Sequence, residues 1–204
     1  MAETFKTRRA EYADATREAL LDAARELFTS HGYQQISLEA IAQKARVTRG
    51  AFYHHFSGKT DLLDALVVAL QADAAARVRA ASAAAQASQR VGAGIAAFLD
   101  VCSESTYRHL VLETATAVLG SDRCREIEEA STFGLLSAAL QAQAARGSAA
   151  AKNVPLAARM IGRMICESAL LIDSAEDEKA FKADVQRIVK HTWDAVTAGP
   201  RTKA

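Results

Sequence analysis

The sequence predicts an all-α protein. Its 204 residues include only two prolines and ten glycines, so few positions interrupt a helix. Alanine, leucine, glutamate and arginine, which favour helices, are abundant, and no long alternation of aromatic or β-branched residues indicates a strand. Apolar residues instead recur every three or four positions, which is the spacing of one helical face.

Several classes of protein are disfavoured by composition and motif. No segment approaches the roughly 18–20 apolar residues of a membrane-spanning helix, and no apolar stretch follows the charged N-terminus as in a secretory signal. The cysteines, Cys102, Cys124 and Cys166, are odd in number and widely spaced, which is typical of a reducing compartment. We expect a cytoplasmic protein without a membrane partner. No GxSxG, HExxH, P-loop or GxGxxG motif is present, so we expect neither an enzyme nor a cofactor.

The first helix is placed by its apolar stripe and its flanking residues. Asp14 or Thr16 is a suitable N-cap, and Gly32 is expected to end the helix. Residues 1–13 are therefore expected to form a flexible arm, and this arm is basic. The stripe that should face the core contains Leu20, Ala24, Leu27 and Phe28.

Two short helices should follow, separated by a turn of three residues, 46–48. Ser37 can cap the first of them and Thr48 the second. Two short helices joined in this way are typical of a helix-turn-helix, whose second helix enters the major groove of DNA. Residues 40–60 contain no acidic residue and four basic ones, which favours a phosphate backbone as partner.

The second of these helices should have two different faces. Phe52 and Phe56 are four residues apart and can anchor the helix to its neighbours. Tyr53 and His54 fall on the opposite side, where they can donate hydrogen bonds to phosphates. The adjacent His54 and His55 point in different directions, so we expect no metal site there.

Residues 16–66 resemble the DNA-binding domain of the TetR family of bacterial transcriptional regulators. The matching motifs are "AARELFTSHGY", "SLEAIAQKA", "VTRGAFYHHF" and "SGKTDLLDAL". The resemblance implies an N-terminal three-helix helix-turn-helix DNA-binding domain at residues 1–60. It also implies a C-terminal helical domain for ligand binding and dimerisation at residues 61–204.

The resemblance also implies which residues contact DNA. Base contacts are expected from Arg49, Gly50 and Ala51, and Arg49 can bind guanine through two hydrogen bonds. Phosphate contacts are expected from Ser37, Leu38, Arg46, Thr48, Tyr53, His54 and Lys59.

Arg46 departs from the family pattern, which usually has glycine at this position of the turn. If the backbone there needs a positive φ, a non-glycine residue costs about 1 kcal/mol. Our hypothesis is that the cost is tolerated because Arg46 reaches a phosphate. The alternative is that the turn is built differently.

The C-terminal half carries amphipathic helices without a local catalytic motif. The resemblance implies a ligand pocket, for which the candidate lining residues are Phe98, Cys102, Tyr107, Leu110, Glu113, Phe133, Met164 and Cys166. The last two helices have more apolar surface than one neighbour can cover, which favours a symmetric dimer. The candidate interface residues are Met160, Gly162, Ala169, Val185, Ile188 and Thr192.

The main functional hypothesis is a ligand-responsive repressor. It would bind double-stranded DNA at a palindromic operator as a homodimer and be released by a small apolar or aromatic effector. The alternative is an architectural DNA-binding protein without an effector, and a redox role for one cysteine is a third possibility. The sequence does not determine the effector, the operator, or whether transcription is repressed or activated.

Overall fold

The computed structural model describes residues 2–145 and 153–198, and its regular elements are all helical. The N-terminal part consists of α1 (Ala2–His31), α2 (Leu38–Lys44), α3 (Arg49–His55) and α4 (Lys59–Ala84). The remainder consists of α5 (Arg90–Ser103), α6 (Ser105–Tyr107), a π-helix (Arg108–Thr114), α7 (Ala115–Leu119), α8 (Ser121–Ala130), α9 (Thr132–Ala144), α10 (Val154–Leu170), a 3₁₀ turn (Ile172–Ser174) and α11 (Glu178–Thr197).

Helix α1 is longer than the sequence interpretation expected. It begins at Ala2, so the prediction of a flexible arm at residues 1–13 is wrong for the residues that the structure describes. Thr16 does not cap the helix, because its hydroxyl donates to the carbonyl of Tyr12 at 2.8 Å, as hydroxyls inside helices do. The helix ends as predicted, since Gly32 has a φ of +78°.

The N-terminal core is formed where α1, α3 and α4 meet. Phe52 of α3 and Phe56, the residue that caps its C-terminus, are almost completely buried, which confirms the predicted division into an inner and an outer face. They lie in one cluster with Leu20 and Phe28 of α1 and Leu62 of α4. Burial of such large side chains contributes roughly 1.5–3 kcal/mol each, so α3 is held firmly by its inner face.

The C-terminal core lies between α5, α9, α10 and α11. Phe98, Phe133, Ile161, Ile165 and Trp193 are buried there together. Helices α9 and α10 pack closely at Gly162, where an added Cβ would lie 2.5 Å from the Phe133 ring. This contact explains why glycine occupies the middle of a helix, where it otherwise costs roughly 1 kcal/mol.

Helix α4 joins the two cores. Leu62, Leu63 and Leu66 in its first half are fully buried in the N-terminal core, and Ala74 further along is buried in the C-terminal core. The domain boundary predicted at residue 60 therefore lies at the start of a helix that both parts share. Within residues 2–145 and 153–198, no helix combines the length and apolar character that crossing a membrane requires.

Candidate nucleic-acid interface

Side-chain caps fix the starts of the two short helices. The Ser37 hydroxyl accepts a hydrogen bond from the backbone N–H of Ala40, and the Thr48 hydroxyl accepts one from Ala51, both at 3.1 Å. Both predicted N-caps are thereby confirmed. Each hydroxyl is exposed and keeps its own proton free to donate, so capping does not prevent a further contact with phosphate.

The turn between α2 and α3 is closed by a Schellman motif. The N–H of Val47 bonds to the carbonyl of Ala42 at 2.9 Å, and the N–H of Arg46 bonds to that of Gln43 at 3.1 Å. Arg46 has a φ of +57°, which is the left-handed conformation that glycine usually supplies. The expected backbone cost is therefore present, and the exposed Arg46 side chain has no ion pair among the described residues.

The outer face of α3 exposes the residues predicted to contact DNA. Arg49, Gly50, Tyr53 and His54 are exposed, and Ala51 is half-buried. At Gly50 an added Cβ would meet only the Thr48 hydroxyl, at 3.9 Å, so the fold does not require glycine there. Its effect is to leave the start of the helix open to close approach by another molecule.

Arg49 already has partners on the protein surface. Its guanidinium lies 2.8 Å from the carboxylate of Glu39 and 3.4 Å from the hydroxyl of Tyr53, to which it donates. The hydrogen bond with Tyr53 is the main reason that the pKa of Arg49 is raised above its ordinary value. Sequence reasoning missed Glu39, because it lies on α2, ten residues from Arg49, and only the packing of α2 against α3 brings them together.

Lys59 has a structural contact that sequence reasoning also missed. Its ammonium donates to the carbonyls of Tyr33 and Ile36, both at 2.9 Å, and lies 4.3 Å from the centre of the Tyr33 ring. These contacts tie the loop after α1 to the first residue of α4. An ammonium has three donors, so a phosphate contact remains a prediction for the third.

The remaining predicted contacts are placed near the same face. The Leu38 side chain packs against the N-terminal core, so its backbone rather than its side chain is available to a phosphate. The rings of His54 and His55 lie 5.3 Å apart and nearly perpendicular, and His55 is half-buried. Among the described residues, no three His, Cys, Asp or Glu side chains are grouped in a way that could hold a metal ion.

Most of the candidate pocket residues lie outside the cavity between α4, α5, α9, α10 and α11. This cavity has a volume of about 450 Å³, and of the eight candidates only Phe98 lines it. Glu113 is exposed beside His109, 3.9 Å away, and Leu110 belongs to the N-terminal core. Other candidates are buried elsewhere or line a shallow groove on α10: Cys102, Tyr107, Phe133, Met164 and Cys166.

The candidate dimer residues divide into two groups. Met160 and Ile188 are exposed, and Thr192 is half-buried, so a partner can reach them. Gly162, Ala169 and Val185 are buried within the chain itself, and their assignment to an interface is wrong. The error has a simple cause, because α10 is apolar on much of its circumference and the sequence does not show which side faces inward.

The fold and this surface define a helix-turn-helix DNA-binding protein, and comparisons with known proteins agree. The profile of bacterial regulatory proteins of the tetR family matches residues 20–66. The profile of the tetracyclin repressor-like C-terminal domain matches residues 88–196, which is more than half of the chain. The chain belongs to the TetR family of bacterial transcriptional regulators, which are DNA-binding transcription factors.

Individual relatives show the same relationship. A TetR-family regulator from Pectobacterium atrosepticum is 30% identical with a TM-score of 0.71, and the match covers 95% of this chain and 99% of that one. The regulator FadR from Bacillus subtilis, solved in complex with stearoyl-CoA, has a TM-score of 0.67 at 22% identity, covering 84% of this chain and 96% of that one, and shows the fold alone.

Curated relatives match over a limited stretch of this chain. The regulator SrpR from Pseudomonas putida is 46% identical over 59 residues, which are 29% of this chain and 28% of SrpR. The TetC protein of transposon Tn10 from Escherichia coli is 47% identical over 60 residues, which are 29% of this chain and 30% of TetC. This chain therefore matches less than a third of the length of either protein.

Replacing Arg46 by glycine separates the backbone cost from the predicted phosphate contact. Arg46→Gly should raise the free energy of unfolding by about 1 kcal/mol, because glycine has no Cβ to oppose a positive φ. DNA binding should weaken. A plot of log binding constant against log salt concentration should become shallower by about one for each protomer, which is about two for a dimer. Thermal unfolding and DNA titrations at several salt concentrations measure both effects.

Arg46→Asn is the matched control, since asparagine tolerates the left-handed conformation but carries no charge. It should weaken DNA binding as much as glycine does and change stability less. Unchanged DNA binding by both variants would contradict a phosphate contact by Arg46.

Removing the Lys59 ammonium should destabilise the protein. Lys59→Met keeps the length of the side chain but leaves the carbonyls of Tyr33 and Ile36 without this donor, at a cost of about 1.5–3 kcal/mol. Lys44→Met is the control, because Lys44 pairs only with the exposed Glu26 and such pairs contribute about 0–1 kcal/mol. Denaturant titrations measure the free energy of unfolding of both variants. Equal stability of the two variants would show that the Lys59 contacts contribute no more than an exposed ion pair does.

Proposed function

We propose that this protein is a ligand-responsive transcriptional repressor that binds a palindromic operator as a homodimer. One observation carries the DNA-binding part: Arg49, Gly50 and Ala51 begin a helix whose inner face is fixed by two buried phenylalanines. A helix held in this way presents the same side chains to every DNA molecule that it meets. It is therefore suited to reading base edges rather than only attracting phosphates.

Arg49 would exchange its partners when DNA binds. In the free protein its charge is balanced by Glu39 at 2.8 Å on an exposed surface, where ion pairs contribute little. A guanine offers two acceptors in the major groove, and a contact through both discriminates against other bases by about 1–3 kcal/mol. The weak pair with Glu39 thus holds the guanidinium on the surface that would face the major groove. It does not prevent the guanidinium from moving to a base.

The dimer is supported by an apolar surface on the last helices. Five large apolar side chains on α10, on the segment after it and on α11 are 37–57% exposed: Leu156, Met160, Leu170, Leu171 and Ile188. Three of them, Met160, Leu170 and Leu171, line one groove, and a large exposed apolar surface often marks an interaction site. Paired with itself across a two-fold axis, it would form a four-helix bundle and place two α3 helices on successive major grooves about 34–36 Å apart.

The cavity supports a small-molecule effector. Its volume of about 450 Å³ lies within the usual range for ligand sites, about 300–1,000 Å³. Val78 and Ser82 of α4 line it, and the same helix is buried in the N-terminal core at Leu62 and Leu66. A ligand that prefers one tilt of α4 would change the spacing of the recognition helices, in proportion to its difference in affinity for the two arrangements. FadR, solved with stearoyl-CoA, is a precedent for a small-molecule ligand on this fold.

The architectural alternative is weakened by this cavity, since a protein without an effector has no need of one. The redox alternative is weakened by burial of all three cysteines. Burial also raises the pKa of Cys102 and Cys124, whereas a redox-sensing thiol is usually exposed with a lowered pKa.

Footprinting on the DNA upstream of its own gene tests the proposed function. A protected palindrome that is lost when a small molecule is added supports it. Absence of protection on this DNA and on genomic fragments would count against it.

Replacing Arg49 should reduce sequence preference more than overall affinity. Arg49→Ala should reduce discrimination at one base pair per half-site by about 1–3 kcal/mol and leave binding to random DNA nearly unchanged. Glu39→Gln should instead strengthen binding to all DNA, because it removes a negative charge next to the phosphates. Competition titrations with single-base variants of the operator distinguish the effects of the two substitutions. An equal loss on specific and random DNA would contradict base reading by Arg49.

Introducing a charged residue into the exposed apolar surface should dissociate the dimer. Met160→Glu is expected to give a monomer in analytical ultracentrifugation, because burying an unpaired carboxylate is unfavourable. Val68→Glu is the control, since Val68 is an exposed apolar residue of α4 outside that surface. A dimer that survives Met160→Glu and Leu171→Glu would place the interface elsewhere.

A further inference from the structure

The cavity has an apolar interior and a basic rim. Its inner wall is formed by buried Ile95, Phe98, Ile165 and Trp193. Two arginines, Arg79 of α4 and Arg90 of α5, line its outer part, and both are exposed to solvent. Among the described residues, no acidic side chain lines the cavity. The charges of the wall are therefore of one sign.

The two arginines differ from their neighbours in having no carboxylate partner in the part of the chain that the structure describes. Arg77, two residues before Arg79 on α4, donates to Glu104 at 3.0 Å. Arg123, across a second groove that Arg79 also lines, binds Asp64 at 2.6 Å and Glu126 at 3.1 Å. Glu104, Asp64 and Glu126 are thus bound by other arginines. Among the described residues, Arg79 and Arg90 remain at the cavity without a bound carboxylate.

The inner end of the cavity cannot receive a charged group as well as the rim can. Thr132 supplies a hydroxyl there, but it already donates to the side-chain oxygen of Gln71 at 2.9 Å. A carboxylate needs donors, and transferring it to an apolar interior without them is unfavourable. A ligand with one charged end would therefore place its apolar part inside and its charge at Arg79 and Arg90.

The start of α5 adds to the positive potential at the rim. Its N-cap, Gln89, makes no side-chain capping bond, and no acidic residue occupies its first turn. Arg90 is the first residue of this helix, and its carbonyl accepts a hydrogen bond from Ser82 of α4 at 3.2 Å. An anion held by both arginines would therefore bridge α4 and α5 where they already touch.

We propose that the effector is a small apolar or aromatic molecule bearing one carboxylate, bound with its apolar part in the cavity and its carboxylate between Arg79 and Arg90. This inference rests on the proposed function, because it assigns the chemical class of the effector. Charge complementarity supports an anion, and the apolar inner wall supports a hydrophobic body. An arginine binds a carboxylate through two parallel hydrogen bonds, which fixes the ligand at the rim.

Matched pairs of probes test the charge directly. Octanoate is compared with octanamide, and 2-naphthoate with 2-naphthamide, since each pair has the same apolar part and differs in charge. Isothermal titration should show that at least one carboxylate binds, at least tenfold more tightly than its amide. The double variant Arg79→Gln, Arg90→Gln should remove this difference. The control Arg25→Gln, Arg125→Gln makes the same change of net charge at exposed arginines of α1 and α8, neither of which lines the cavity, and should preserve the difference.

The outcomes separate this proposal from the proposed function. Amides that bind as tightly as carboxylates would overturn the anionic class and leave a ligand-responsive regulator in place. Carboxylate binding that the Arg79, Arg90 variant does not weaken would overturn the assigned site. Binding of neither carboxylate would also overturn the proposal, while DNA footprinting on the same preparation decides the regulator function independently.

Discussion

The arrangement depends on α4 being one continuous helix that is buried along much of its length. Its first half completes the N-terminal core through Leu62, Leu63 and Leu66, and its second half forms part of the wall of the cavity. Because interiors are close-packed, neither half can move without the other. In the proposed function, a change of packing at Val78 or Ser82 is carried along this helix to the helices that support α3. This mechanical link is the route by which we propose that the cavity influences the DNA-binding surface.

The second connection between the two parts is the π-helix at residues 108–114. Leu110, in the middle of it, is fully buried in the N-terminal core, although its neighbours in sequence belong to the C-terminal part. Arg123 of α8 also binds Asp64 of α4 at 2.6 Å. A π-helix is less stable than an α-helix and often marks a functional position. Here it lies where the C-terminal part contacts the first half of α4, so it is well placed to respond to a tilt of that helix.

Basic residues near the DNA-binding surface have three different roles, although the sequence presents them as one cluster. Lys59 donates hydrogen bonds to two backbone carbonyls and stabilises the loop after α1. Arg49 is paired with an exposed acid, Glu39, which in the proposed function it exchanges for a base. Arg46 occupies a backbone conformation that disfavours it, which is consistent with a function for its side chain. Charge alone does not distinguish them, because the distinction lies in which acceptors the fold places nearby.

The sequence by itself determined the helical class, the helix-turn-helix and the inner and outer faces of α3. These depend on local spacing and capping, as the buried Phe52 and Phe56 and the caps Ser37 and Thr48 show. Only the tertiary structure decided the partners of Arg49 and Lys59, the buried side of α10 and the walls of the cavity. Glu39, Tyr33 and Ile36 are brought to these cations by packing. Arg79 and Arg90 line the same cavity because α4 and α5 pack against each other. Contacts between residues that are distant in the chain cannot be read from periodicity, since it shows that a face is buried but not what covers it.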